Sequence, residues 1–313
     1  MTQDEIIDAI ADGGIDPAAA VAAYEARVGT TGLRPFKPKT FEQRRSLYER
    51  DKALREAAMR NRVPFISPNF SQDFFLYQGL VLVGGVSGAG KSTTVANILT
   101  GYLEHSDKSA FVISNEDSSE TVYNRTACVM LRKNFNKFFN GHLSTYDQQL
   151  VYNKAMELVN RVEVVDDPAW DMTCVEDVKS VLEYAATSDA GIIVIDYFQT
   201  VCSSRIDPDM DAVRVSKNFG FYLKEYGKRV GKPVIVFAQL RAKDGDHKEF
   251  KTRVENDRTI INHAFQAIEI QPDYAASRTT FIVQKNRFGL KQREEVTMKF
   301  DGGRYTNEET DDI

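Results

Sequence analysis

Residues Gly84–Val95 read GGVSGAGKSTTV, and within them Gly85 to Ser92 fits the spacing G-x-x-x-x-G-K-[ST]. The apolar run GLVLVGG (79–85) precedes this stretch and a helical pattern (91–104) follows it, so the loop joins a buried strand to a helix. In that setting Gly85, Gly88, Ala89 and Gly90 turn backbone N–H groups inward around phosphate oxygens, and the helix N-terminus adds partial positive charge. Lys91 is placed to bridge β- and γ-phosphates, the Ser92 hydroxyl to ligand Mg²⁺, and Thr93 to complete the nucleotide contact. The bland alternative, a glycine-rich turn of no chemical purpose, does not account for motif and context together.

Outward from the loop, three further apolar runs lack polar alternation: SAFVIS (109–114), GIIVID (191–196) and PVIVFA (233–238). Such runs suit strands covered on both faces, and helical patterns fall between them around 91–104, 117–133, 145–160, 174–187 and 211–230. The expectation is an α/β fold with a mostly parallel sheet and helices on both faces. After residue 260 the pattern changes to AFQAIEI (264–270), TFIVQK (280–285) and EEVTMKF (294–300), read as antiparallel strands. Residues 1–65 are expected as a short helical N-terminal extension and linker, with an Ala-rich helix ending near Gly29 and a charged helix from Phe41 to about Asn61. Residues 66–307 are expected as one domain, and 308–313 as an acidic tail.

Composition excludes some classes. The 313 residues carry a net charge of −5, with 42% hydrophobic and 27% charged residues, which suits a globular protein and not one coated in positive charge. A few basic loops converging on one channel still permit nucleic-acid binding. Cys128, Cys174 and Cys202 form no CxxC pair and the four histidines are scattered, so no disulfide framework or zinc site is expected. No apolar stretch reaches the roughly 20 residues a membrane span needs. The beginning MTQDEIIDAIADGG is acidic where a secretory signal is basic and then apolar, and a cytoplasmic location is expected.

Three strand ends supply candidate partners for a bound nucleotide. Asp196 ends GIIVID, where a carboxylate organises the metal or, alternatively, caps the next helix. Glu116, in FVISNEDSSE, is the leading candidate for the base that activates water; the adjacent Asp117 is the alternative, or the first carboxylate of the following helix. Gln239 ends PVIVFAQ, where an amide either senses the γ-phosphate or simply closes a strand.

Taken in order, GVSGAGKST, ISNEDSSETVYNR, GIIVIDYFQT, KPVIVFAQLRA and VQKNRFG resemble the RecA-type motor domain of replicative hexameric helicases of the DnaB type. The resemblance spans about residues 66–307 and implies a RecA-like core with ATP and Mg²⁺ as ligands. It implies Lys91, Ser92 and Asp196 for nucleotide and metal, Glu116 as catalytic carboxylate and Arg125 as the arginine on the helix that follows. Gln239 matches the family's glutamine sensor. Lys285 and Arg287, ordinary charges beside a turn by spacing alone, match a basic pair that reaches the γ-phosphate of the adjacent subunit. ATP would then lie between subunits of a homo-oligomeric, hexameric ring. The chain departs from the family where Asn115 and Asp117 flank Glu116, and where RVENDRTI follows Gln239 in place of a glycine-containing segment. The short segment before the motor is expected of a phage or plasmid version.

In RecA-type rings the loops after the third and fourth core strands line the channel, here about 202–214 and 241–257. The second contains Arg241, Lys243, Lys248, Lys251 and Arg253, candidate phosphate contacts for single-stranded DNA. The implied function is an ATP-dependent DNA helicase in replication, with a primase or helicase loader as further partner and no membrane. A RecA-like recombinase filament and a nucleotide-binding loading factor are the rivals.

Overall fold

Alternation explains the apolar runs. In the strand Gly79–Gly85, Leu80 and Leu82 enter one buried layer while Val81 and Val83 enter another on the opposite face. The same division holds at Phe111 and Ile113 against Ala110 and Val112, and at Ile193 and Ile195 against Ile192 and Val194. Side chains of a strand point to opposite faces in turn, so a strand covered on both sides carries no polar position.

The computed structural model describes residues 38–307 apart from 61–62, 67–69, 71–73, 167–168, 244–248, 256–258 and 288–293. The expected Ala-rich helix, the acidic tail and Lys248 lie outside the described residues. In chain order the elements begin with α1 (Phe41–Arg60), β1 (Val63–Pro64), β2 (Phe75–Leu76), β3 (Gly79–Gly85) and α2 (Lys91–Leu103). There follow β4 (Ala110–Ser114), α3 (Ser119–Met130), α4 (Phe135–Phe139), α5 (Thr145–Val159), β5 (Val162–Val165) and α6 (Val175–Thr187). Next come β6 (Ile192–Asp196), a 3₁₀ turn (Phe198–Thr200), α7 (Ala212–Val230), β7 (Pro233–Gln239), α8 (Phe250–Arg253) and α9 (Ile260–His263). The chain closes with β8 (Gln266–Asp273), β9 (Arg278–Asn286), β10 (Glu295–Asp301) and β11 (Arg304–Thr306).

Contacts divide the chain between Ala53 and Leu54, within α1. Before the division α1 exposes Phe41 and Tyr48 and carries an Arg45–Glu49 ion pair one turn apart. After it, nine strands form one sheet in the order β11-β10-β9-β8-β3-β7-β6-β4-β5. The six strands from β8 to β5 are parallel, and β9, β10 and β11 continue the sheet antiparallel. One face is covered by α2, α3 and α5 through Ile98, Leu99, Cys128 and Val151, the other by α6 and α7 through Leu182, Phe219 and Leu223. Among the described residues no helix is long and apolar enough to cross a membrane.

The helix expected around 117–133 is α3, Ser119–Met130, and the short α4 follows it. Ser118 caps α3 by accepting a hydrogen bond from the Thr121 N–H, and Arg132 ends the segment with φ of 52°. Register fixes which strand ends share an edge. Gly85 stands opposite Gln239, and Ser114 opposite Asp196, so the ends of β3, β7, β6 and β4 open onto one side. In an open parallel sheet, ligands bind in the crevice beyond those carboxyl ends.

Candidate nucleotide site and its flanking loops

Gly88 and Gly90 have φ of 74° and 83°, a left-handed backbone that glycine adopts without penalty. Gly90 caps α2 with no side-chain bond, and no acidic side chain occupies the first turn. The free N–H groups and the helix dipole there therefore face the loop without a competing negative charge. Ala89 N–H donates to the Val86 carbonyl at 3.1 Å, and the Tyr274 hydroxyl donates to the Gly88 carbonyl, which holds the loop's outer rim.

Lys91 points back across this loop. Its Nζ donates to Gln239 Oε1 at 2.5 Å and to the Val86 carbonyl at 3.4 Å. Burial lowers the Lys91 pKa, against the opposing pull of Asp196, Glu116 and Glu255. Asp196 is only 3% exposed, and its Oδ1 has no hydrogen-bond partner. Burial first, and then the negative charge of Glu116 and Asp117, push its carboxyl up to about 7. A buried carboxylate oxygen left unpaired is costly unless a cation completes it. Ser92 and Asp196 line one small cavity, offering a hydroxyl and a carboxylate, the oxygen donors that Mg²⁺ takes alongside phosphate and water. These residues fit the metal.

Asp117 and Glu116 differ in what they touch. Asp117 forms an ion pair with Arg125, whose guanidinium also lies 4.6 Å from the centre of the Phe135 ring. Glu116 is exposed and makes no hydrogen bond or ion pair with the described residues. The two residues that flank Glu116 both have partners here: Asn115 Nδ2 donates to Thr200 Oγ1, and Asp117 holds Arg125.

Beyond Thr93 lies a cavity of about 140 Å³, lined by Arg125, Lys133, Phe135, Phe300 and Gly303 among others. Its far wall, the turn between β10 and β11, is tied to α2 by Asn97. That side chain donates to the Gly303 carbonyl at 2.9 Å and accepts from the Tyr305 N–H at 2.9 Å. No motif pointed to Asn97, which occupies an otherwise unremarked helix position.

Lys285 and Arg287 sit elsewhere. Lys285 pairs in register with Ala267, which in turn stands opposite Leu82, three residues before Gly85 on β3. At about 3.3 Å per residue this places Lys285 roughly 10 Å below the strand end. From there Lys285 Nζ donates to the carbonyls of Ile261 at 2.6 Å and Asn262 at 3.2 Å, and Arg287 donates to Asn262 at 3.2 Å. Burial, and then the neighbouring Arg287, lower the Lys285 pKa to about 8. The pair is brought together, but below the strand ends and away from its own glycine loop.

The two candidate channel loops are anchored at their bases. In the first, Arg205 makes two hydrogen bonds to the buried Asp177 on α6, at 2.9 and 2.6 Å, while Glu176 accepts from Ser204 and the Arg205 N–H. In the second, Arg241, Lys243 and Lys251 are exposed. Arg253 is not: it is 3% exposed, and its guanidinium lies 2.5 Å from Glu269, itself 2% exposed. The expectation of Arg253 at the channel surface meets a side chain that is instead the loop's buried anchor. Arg241 N–H donates to the Arg253 carbonyl at 2.8 Å and Arg253 Nε to the Arg241 carbonyl at 2.9 Å, closing the loop's neck.

A glycine loop on a parallel strand, a lysine and hydroxyl at the head of its helix, and a buried acid two strands away define a RecA-like nucleoside-triphosphatase fold. The chain belongs to the family of DnaB-like helicase C-terminal domains, matched over residues 75–307. Among solved structures it resembles a DnaB-like replicative helicase described with its interactions with primase. That likeness has a TM-score of 0.69 at 16% identity and covers 98% of this chain and 75% of the other. It also resembles a second solved structure, an ATPase domain, with a TM-score of 0.66 at 14% identity, over 88% of this chain and all of that one. No curated protein sequence matches.

Proposed function

We propose that this chain is the motor of an ATP-driven, ring-forming DNA helicase, working in the cytoplasm as a homohexamer on single-stranded DNA during replication. The glycine loop, Lys91, Ser92 and Thr93 hold ATP, with Arg125 at the edge of the site. The cavity beyond Thr93, of a size for a nucleobase, receives the base. Ser92 and Asp196 would hold Mg²⁺, which when bound would supply positive charge beside the phosphate oxygens. Glu116 Oε takes a proton from the attacking water as the new bond to the γ-phosphorus forms and the bond to the β-phosphate oxygen breaks. Asp117 is occupied with Arg125, which favours Glu116 for this step.

The observation that supports an interface mechanism best is the division of the machinery. The loop, Lys91, Asp196 and Gln239 share one edge of the sheet, whereas Lys285 and Arg287 lie together away from it. A cationic pair set away from its own site supports contact with a neighbour's, and a head-to-tail contact of that kind forms a ring where its rotation closes. In that ring Arg241, Lys243 and Lys251 track phosphates without reading bases, as a translocating motor requires. A primase or a helicase loader would dock on the assembled ring. Negative-stain imaging with ATP and single-stranded DNA tests the assembly: closed rings are expected, whereas open filaments would favour a recombinase and dispersed monomers a loading factor.

A further inference from the structure

The 3₁₀ turn Phe198–Thr200 lies between the strand ends that bear the site's chemistry, and its middle residue makes bonds that the proposed reaction does not use. Gln199 is 9% exposed. Its Oε1 accepts from the Gln239 N–H at 3.0 Å, and its Nε2 donates to the Gln239 carbonyl at 3.1 Å and to the Glu255 carbonyl at 3.3 Å. Both amide donors are thus engaged, and the paired N–H and C=O of Gln239 dictate which end of the amide faces which. One side chain grips the backbone of Gln239 as a neighbouring strand would.

Gln239 is the residue whose own amide holds Lys91. Glu255 lies at the far end of the second candidate channel loop, where its N–H donates to the Gln239 carbonyl at 3.3 Å, next to the Leu240–Val254 bridge that closes the loop's neck. On its other side the turn reaches the catalytic strand, because Asn115, adjacent to Glu116, donates to Thr200. Gln199 therefore touches the phosphate-facing strand end and the stem of the loop at once, through hydrogen bonds alone.

We propose that Gln199 is a positioning residue that couples nucleotide occupancy, read at Gln239, to the setting of the loop stem at 249–255. This rests on the nucleotide site proposed above. When phosphate draws the Lys91 ammonium away, the Gln239 amide is released. A shift of its backbone reaches Glu255 by two routes, the direct Glu255 N–H bond to the Gln239 carbonyl and the three bonds of Gln199, of which Gln199 carries the larger share. The same coupling runs in reverse, so a ligand on the loop changes nucleotide affinity by an equal factor.

The test uses the full chain with Mg²⁺ and ATPγS, a slowly hydrolysed analogue, and reads both nucleotide affinity and backbone hydrogen exchange across 249–255. In the wild type, nucleotide is expected to change exchange in that stem. Gln199→Met, similar in length but without the three hydrogen bonds, should bind the analogue within about threefold of wild type, less than 1 kcal/mol. Its response at 249–255 should fall below roughly half. Gln199→Glu keeps the acceptor for the Gln239 N–H and loses the donors, so it should respond partially, and it carries the test if the Met variant fails to fold. A full response in a folded variant with these bonds removed overturns the proposal, as does a wild type that binds the analogue with no change at 249–255. A wild type that binds no nucleotide overturns the site reading itself, and the inference with it.

Discussion

Lys91 Nζ rests 2.5 Å from Gln239 Oε1, so the ammonium that would meet a phosphate is held by the amide that would sense it. Lys91 heads α2 beyond the end of β3 and Gln239 ends the neighbouring β7, and one hydrogen bond must break before either can serve the nucleotide. Lys91→Ala should fold with a melting temperature close to wild type and lose nucleotide turnover, because a methyl group cannot stabilise phosphate charge. Gln239→Ala should still bind ATP but turn over about 10²-fold more slowly. Steady-state hydrolysis beside a nucleotide-binding titration checks both; a turnover near wild type in Lys91→Ala would remove the glycine loop from the chemistry.

Glu116 and Asp117 make a second pair of unequal neighbours. Glu116→Gln should bind nucleotide yet hydrolyse it about 10²–10⁴-fold more slowly, since an amide accepts no proton. Asp117→Asn should have a milder effect on turnover, acting through the freed Arg125. The opposite ranking in single-turnover rates would transfer the base to Asp117.

Asp196 gives the nucleotide-free protein a signature in pH. An aspartate ordinarily titrates at 3.8, whereas the buried Asp196 is raised to about 7. Between those values the folded chain keeps a proton that the unfolded chain has released. This contribution to stability is full below pH 3.8 and is lost as pH rises through about 7. Asp196→Asn is neutral throughout and should melt higher than wild type at pH 8, by a margin on the order of 4 kcal/mol in stability, with little difference at pH near 4. Parallel melting curves over that range would contradict the assignment.

The basic residues of the second channel loop should separate into two behaviours. Lys243→Ala and Lys251→Ala together should weaken single-stranded DNA binding for all sequences and flatten its salt dependence, by about one unit of log–log slope per lost contact. Arg253→Ala should instead cost roughly 1.5–3 kcal/mol of stability, by removing the buried guanidinium from Glu269, which keeps Lys243 at 3.6 Å and the amides of Gln271 and Gln284. Unchanged DNA affinity in the lysine double variant would take this loop out of the channel.

The parallel core was legible because strands buried on both faces leave runs such as GLVLVGG and GIIVID, with no polar position to blur them. Edge strand β5, Val162–Val165, escaped notice because it is short, with Glu163 exposed within it. The glycine loop and Asp196 could be located at strand ends because each closes an apolar run in the sequence. Arg253 was misplaced because a run of basic residues in a loop looks solvated. Only the fold shows that Glu269, sixteen positions on, comes to meet it. Gln199 and Asn97 were missed for a related reason: each acts on backbone groups distant in sequence, which leave no local pattern.

The claim that hydrolysis is completed across a subunit boundary is tested most directly by mixing two inactive proteins. Lys91→Ala offers an intact Arg287 and a dead loop, and Arg287→Ala offers an intact loop without the guanidinium, whose loss in comparable sites lowers turnover about 10³–10⁵-fold. Neither should hydrolyse ATP alone. Mixed assemblies should regain DNA-stimulated turnover, with activity greatest near equal proportions, wherever a good loop faces a good arginine. No recovery in mixtures shown to co-assemble would mean that Arg287 acts within its own subunit or not at all, and would contradict the interface mechanism.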